Sequence, residues 1–193
     1  MNIDLLIVIA YSYLFGSIPF GLIFTKLFLK KDLRNIGSGN IGATNVLRTG
    51  NKLLATITLF FDVLKAYSTI YITFNHFSEY IFLSGLVCFL GHIFPIWLNF
   101  KGGKGIATYI GIIFSYSFEL AIVFCVTWLM ILLLFRYSSL SSIISTFMVF
   151  LFSLFSLSTS MSVFLFIIFI IVIFTHKENI YRLKNQTEDK VKF

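Results

Sequence analysis

Between Ser138 and Thr175 the chain runs for 38 residues without one Asp, Glu, Lys or Arg. That is about twice what a helix rising 1.5 Å per residue needs to cross a hydrocarbon layer of roughly 30 Å. The stretch therefore constrains the chain to a fold built in lipid. Composition agrees: mean hydropathy is +0.94 and charged residues make up 12%, against about 25% in soluble domains, too few to cover a water-exposed surface. Apolar blocks fall at about 4–28, 53–74, 80–98, 105–118, 119–135, 138–156 and 160–175. The expectation is an all-α polytopic membrane protein of about seven transmembrane helices, with residues 1–193 forming a single integral membrane domain. In the uncharged stretch, only the Ser-rich segment 153–162 offers a polar place to turn.

Charge placement sets the expected topology. The fourth block, 14 residues, covers only about 21 Å at helical rise. Keeping it as a span puts Lys26, Lys30, Lys31, Arg34, Arg48, Lys52, Lys101, Lys104, Arg136, Lys177, Arg182, Lys184, Lys190 and Lys192 on one side. By the positive-inside bias that side is cytoplasmic, with the N-terminus outside and the C-terminus inside. The net charge of +7 then records orientation and not a nucleic-acid partner. The first block has no basic segment before it and no A-x-A site after it, so it is expected to remain as a span. Asp62 and Lys65 stand three apart within a span, on one helix face, where they neutralise each other. Cys88 and Cys125 lie in apolar stretches and are expected to be small core residues, without disulfide or metal context.

Four polar clusters fall on the basic side. The segment 30–52 holds Gly37, Gly39, Gly42 and Gly50, four of the twelve glycines. Glycine lets backbone N–H groups converge on an anion, with Thr44 and Asn45 as further donors and Arg48 as the charge; a flexible surface loop is the alternative reading. Its G-x-G-x-x-G pattern is weak evidence, because no βαβ unit surrounds it. The segment GHIFPIWLNFKGGKGIAT, 91–108, sets three glycines and two lysines directly before an apolar helix, like a phosphate cradle at a helix N-terminus. It is not a Walker A loop: Leu98 replaces the leading glycine and Gly105 follows Lys104. In the segment 176–190, His176 and Asn179 share a face if the helix continues. Ser139 and Ser142, between the fifth and sixth blocks, either bind substrate or cap a span. His92 reads either as a partner for carbonyls freed by Pro95 or as a base. A transporter for a phosphorylated solute, or a purely structural membrane component, are the competing readings.

Six motifs in order, GSIPFG, GSGNIGATN with Arg48, DVLK, GHIFPxxxxFKGGKGxAT, RYxSLxS and HxxNIxRL, resemble those of the bacterial acyl-phosphate-dependent glycerol-3-phosphate acyltransferases over nearly the whole chain. Gln186 departs from the resemblance, standing where a glycine is expected before Glu188. The resemblance implies transfer of a fatty acyl group from acyl phosphate to the sn-1 hydroxyl of glycerol 3-phosphate, giving lysophosphatidic acid and phosphate for phospholipid biosynthesis. It implies Lys104, Arg48, His176 and Asn179 as catalytic residues. Ser38, Gly39, Asn40, Thr44 and Asn45 would form one phosphate cradle and Gly102, Gly103 and Gly105 the other, the lysine-containing loop taking glycerol 3-phosphate. It further implies no metal or cofactor, a cell inner membrane location with the site on the cytoplasmic side, and a functional link to the enzyme that makes acyl phosphate. The leaving group of a mixed anhydride departs without covalent catalysis, so positioning and electrostatics suffice. No G-x-S-x-G elbow is present, and the positions five after His76, His92 and His176 are Ile81, Trp97 and Tyr181, so the His-Asp pair of thioester-using acyltransferases is missing. Either His176 or the departing phosphate takes the hydroxyl proton.

Overall fold

A computed structural model describes residues 2–191; Lys192, counted among the basic tail residues, lies outside them. The described residues form helices joined by turns and loops, without strands: α1 (Ile3–Gly16), α2 (Phe20–Leu29), α3 (Ala43–Leu47), α4 (Lys52–His76), α5 (Ile81–Ile93), α6 (Ile106–Tyr116), α7 (Phe118–Phe135), α8 (Ser138–Ser156), α9 (Thr159–Thr175) and α10 (Lys177–Lys184). Side-chain caps start four of them. Asn2, Asn51, Ser117 and Ser158 each accept a first-turn amide of the helix that follows, as an N-cap must.

The seven apolar blocks are all helical, but not all alike. Ile3–Leu29, Lys52–His76, Ser78–Leu98, Phe118–Phe135 and Ser138–Ser156 are long and apolar enough to cross a membrane. Thr159–Thr175 qualifies together with α10, from which it is bent by 61°. The fourth block forms the 11-residue α6, about 16 Å long at helical rise and so well short of the hydrocarbon layer. The uncharged stretch breaks at Leu157 and Ser158, within its serine-rich segment as expected.

The first block holds a feature the apolar pattern hides. Pro19 lacks an N–H and crowds the carbonyl four residues back, so the span breaks at Ser17–Pro19 and restarts as α2. The break leaves carbonyls to be satisfied from elsewhere. The Ser17 carbonyl accepts Trp97 Nε1–H at 2.6 Å and the Ile18 carbonyl accepts Lys65 Nζ at 2.7 Å.

The chain divides into two compact units between Ser115 and Tyr116. In the first, α1 and α5 run side by side so closely that a Cβ on Gly16 would run into the Cys88 carbonyl, the close approach that small residues allow between membrane helices. Polar side chains bind the interior: Ser12 Oγ lies 2.8 Å from Ser84 Oγ, which lies 2.7 Å from Thr73 Oγ1 on α4. Asn2 Nδ2–H donates to the Tyr80 hydroxyl, so the start of α1, the end of α4 and the start of α5 share one end, with Asp4 and Glu79. Apart from Lys65, the basic residues from Lys26 to Lys104 lie in the segments at the other end. α6 packs along α4, Gly111 against the Val63 carbonyl and Ser115 near the Tyr67 carbonyl.

In the second unit, α7, α8 and α9 pack in sequence. Arg136 and α10 lie at the end where α8 begins, and Glu119 at the other. Cys88 is fully buried, as expected, but Cys125 is exposed on α7. That helix turns most of its large apolar side chains outward, Leu129, Met130, Leu133 and Leu134 among them, and Cys125 shares their surface.

Candidate active site

The segment 30–52 is a folded cap, not a flexible loop. Lys30 ends α2 in the left-handed region, φ 52°, and Asp32 fixes the turn that follows, accepting Arg34 N–H at 3.0 Å and Arg34 Nη2–H at 2.6 Å. The Arg34 side-chain hydrogen bonds and then its backbone amide hold the Asp32 carboxyl down to about 2. Leu33, Ile41 and Val46 are buried beneath the segment with Leu22, Leu54 and Ala55. Asn45, 2% exposed, organises the whole. Its Nδ2 donates to the carbonyls of Leu33, Ile36 and Asn40 at 3.1, 2.8 and 2.7 Å, and its Oδ1 accepts Ser38 N–H at 3.1 Å.

That geometry changes the expected roles within the first cradle. The Asn45 amide is engaged with the loop's own backbone and shapes the site instead of meeting an anion. The Ser38 amide is held by Asn45, and the Gly39 amide donates to the Ile36 carbonyl. What the cap presents outward is side chains. Ser38, Thr44 and Arg48 are exposed and Asn40 is half-buried, with the Arg48 side chain lying against Gly37.

The second glycine segment is built from backbone. After α5, Pro95 opens a tight turn over Ile96–Leu98, followed by Asn99 and Phe100 in the left-handed region. The chain then doubles back. Gly102 N–H donates to the Ile93 carbonyl at 2.9 Å and Gly103 N–H to the His92 carbonyl at 3.0 Å. These two amides satisfy the end of α5, so they tie the turn down instead of cradling phosphate. A Cβ on Gly103 would overlap the His92 ring, and Gly105, at φ 86°, would push one into Phe89. Lys104 is half-buried between them. α6 starts immediately afterwards, and its first-turn amides have no intrahelical acceptor. Thr108 Oγ1, in that first turn, is buried without a hydrogen-bond partner. Leu98 packs on the apolar core of the first cap, so both glycine segments lie at one end of this unit.

Behind the turn, Lys65 Nζ lies 2.7 Å from Asp62 Oδ1 and 2.9 Å from His92 Nδ1. The i, i+3 pair expected on α4 is therefore formed, with His92 as a third member.

In the second unit, His176 stands at the bend between α9 and α10 and is 2% exposed. Its Nδ1 is 2.9 Å from the Val172 carbonyl; a carbonyl only accepts, so the neutral ring carries its proton on Nδ1 and its lone pair on Nε2. Ser139, Asn179 and Arg182 converge on one carboxylate. Glu188 accepts Ser139 Oγ–H and Asn179 Nδ2–H, both at 2.6 Å, and Arg182 Nε–H at 2.7 Å. Burial alone would raise the Glu188 carboxyl, but the three donors outweigh it and hold it below its ordinary value. Ser142 donates to the Ser138 carbonyl and accepts Trp128 Nε1–H. Of the two serines read as substrate ligands or caps, one holds the tail and the other is an internally satisfied helix residue. Among the described residues, no group of three or more His, Cys, Asp and Glu side chains is placed to hold a metal.

Residues 6–186 match the profile of the family described as glycerol-3-phosphate acyltransferase. The glycerol-3-phosphate acyltransferase of Pelagibacter ubique is 53% identical over 190 residues, 98% of each chain. The chain belongs to this family. Another member, from Brucella anthropi, is 45% identical over 191 residues, covering 99% of this chain and 95% of its own. The crystal structure of the integral membrane glycerol 3-phosphate acyltransferase PlsY in its glycerol 3-phosphate form superposes with a TM-score of 0.92 at 38% identity, covering 97% of this chain and 95% of PlsY. The lysophosphatidic acid form gives 0.89 at 37% identity, with the same coverage.

For this acyltransferase, the sequence motifs name candidate residues but not the groups that hold them. Arg48, Ser38, Gly39, Asn40, Thr44, Asn45, Gly102, Gly103, Lys104 and Gly105 gather at one end of the first unit; His176, Asn179, Ser139 and Ser142 lie at the basic end of the second. Glu188 was missed as the carboxylate joining Ser139 to Asn179, because it follows a bend that no periodicity announces. The signal available was an acidic residue in a basic tail. Gln186, the departure from the family pattern, keeps the path a glycine would take: its φ is 57°, and Thr187 N–H closes on the Arg182 carbonyl at 2.8 Å.

Proposed function

We propose that this chain transfers a fatty acyl group from acyl phosphate to the sn-1 hydroxyl of glycerol 3-phosphate, releasing lysophosphatidic acid and inorganic phosphate. The observation that carries the reading is the turn 101–105: its amides are tied to the end of α5, its lysine is left at the mouth of α6, and it lies in a chain that matches the family through both units. PlsY in a glycerol 3-phosphate form and a lysophosphatidic acid form supports the substrate and product, which differ by one acyl group. Two phosphoryl groups of about −1.5 to −2 charge repel each other unless cations and donors surround them. Lys104 with the first-turn amides of α6 takes the glycerol 3-phosphate phosphate. Arg48, with the Ser38 and Thr44 hydroxyls and Asn40, takes the phosphate of the donor.

No covalent acyl-enzyme is needed. The acceptor hydroxyl attacks the acyl carbonyl, the phosphate leaves, and the proton passes to that phosphate. Each unit carries its basic residues at one end, and the positive-inside bias places those ends on the cytoplasmic side of the inner membrane. The donor then comes from a cytoplasmic enzyme that makes acyl phosphate, and the acyl chain enters from membrane lipid. Purified protein mixed with acyl phosphate and glycerol 3-phosphate, without coenzyme A, tests the reading. Phosphate release that requires the acceptor supports it; release indifferent to the acceptor, or turnover only with a thioester donor, overturns it.

A further inference from the structure

An ammonium group has three N–H donors and no acceptor. Lys65, its side chain 1% exposed, is ion-paired to Asp62 Oδ1 at 2.7 Å and hydrogen-bonded to His92 Nδ1 at 2.9 Å and to the Ile18 carbonyl at 2.7 Å. Asp62 alone neutralises the lysine. The other two contacts reach the two places where the helices of the first unit are broken: the Ser17–Pro19 break, and His92 at the end of α5. Because the lysine can only donate, His92 Nδ1 must accept, which puts the ring proton on Nε2. That nitrogen faces the backbone of Gly103, where a Cβ would overlap it, and the carbonyl of the same residue receives Gly103 N–H. The next residue is Lys104.

We propose that the buried Asp62–Lys65–His92 network is a positioning device for the glycine turn: it locks the His92 ring against Gly103 and so sets where Lys104 presents its charge to glycerol 3-phosphate. The inference rests on the reading that Lys104 meets that phosphate. All three residues are buried. An ion pair that served stability alone would be replaceable, since exchanging a buried pair for neutral residues of similar size is often neutral or stabilising. A positioning network is not, because a methionine in place of Lys65 has no donor to hold the ring, and the carboxylate that an asparagine would replace stands 3.8 Å from His92 Nδ1.

The test compares the paired variant Asp62→Asn with Lys65→Met, the single variants His92→Asn and Lys104→Ala, and the parent, all purified in detergent. For each, KM for both substrates, kcat and the unfolding midpoint are measured. The paired variant and His92→Asn are expected to raise KM for glycerol 3-phosphate about tenfold, with KM for acyl phosphate changed by less than about twofold, the size of loss a small misplacement of a binding group produces. Loss of the donor to the Ile18 carbonyl lowers the unfolding midpoint of the paired variant somewhat, so the split between the two KM values is what separates positioning from folding; the pair also carries the test if His92→Asn does not fold. A paired variant with the parental KM for glycerol 3-phosphate overturns the inference. So does one in which both KM values, kcat and the midpoint deteriorate together. If Lys104→Ala itself leaves KM for glycerol 3-phosphate unchanged, the assignment of the turn fails; if Lys104→Ala is impaired while the paired variant is normal, only the positioning role does.

Discussion

The two glycine segments lie at one end of the same unit and hold their shapes by opposite means. The cap at 30–52 is organised by one side chain, Asn45, whose amide gathers three carbonyls and one N–H above an apolar floor. The turn at 101–105 is tied down through its backbone: its own amides bond to the end of α5, and its glycines are there because α5 leaves no room for anything larger. Glycine-rich segments that read alike thus need glycine for different reasons, left-handed backbone at Gly37 and Gly39 and close approach at Gly102 and Gly103.

The largest expected effect is common to both segments. Lys104→Ala and Arg48→Ala should each lower kcat/KM by about a hundredfold, on the order of 3 kcal/mol of transition-state stabilisation, with the protein still folded in detergent; near-normal turnover would remove the residue from the site. Next comes the organiser of the cap. Asn45→Ala strands several buried backbone groups and should destabilise the protein by about 3 kcal/mol, seen as a lowered unfolding midpoint and early proteolysis between residues 33 and 45. A variant that unfolds like the parent would show that the apolar floor alone suffices.

The glycines separate the segments more finely. Gly39→Ala should cost about 1 kcal/mol of backbone strain with little change in KM, whereas Gly103→Ala, which displaces the His92 ring, should raise KM for glycerol 3-phosphate. Equal effects of the two would erase the distinction. In the second unit, the depressed Glu188 carboxyl contributes stability that is fully present above its ordinary value of 4.5 and is lost as pH falls through the lower, folded value. Tail cleavage after Lys184 should therefore stay slow near neutral pH and accelerate only in acid, while Glu188→Gln is cleaved rapidly throughout. The smallest effect is Gln186→Gly, which relieves a left-handed non-glycine residue and should stabilise by about 1 kcal/mol or less.

Period and charge made the helices legible, since a run of apolar residues long enough for lipid has few alternatives. The glycine density around Gly37 and Gly103 likewise marked where the chain turns sharply. Local composition could not show what those turns are fastened to. Asn45 reads as one more polar loop residue until its carbonyl partners, five to twelve positions away, fold over it. His92 reads as a lone histidine at a helix end until α4 brings Lys65 beside it, and Glu188 as one charge in a mixed tail. Each is defined by partners distant in sequence, which neither hydropathy nor spacing encodes.

Pro19 interrupts a helix that lipid would otherwise favour, and the interruption turns two carbonyls outward from their own strand of the ladder, one to Trp97 and one to Lys65. Straightening that helix, as Pro19→Ala would encourage, draws both oxygens back into regular i, i+4 bonding and takes one acceptor each from the Trp97 indole and the Lys65 ammonium. For this protein a locally better helix is a globally worse one, because the kink serves as a socket for one side chain from α4 and one from the turn after α5.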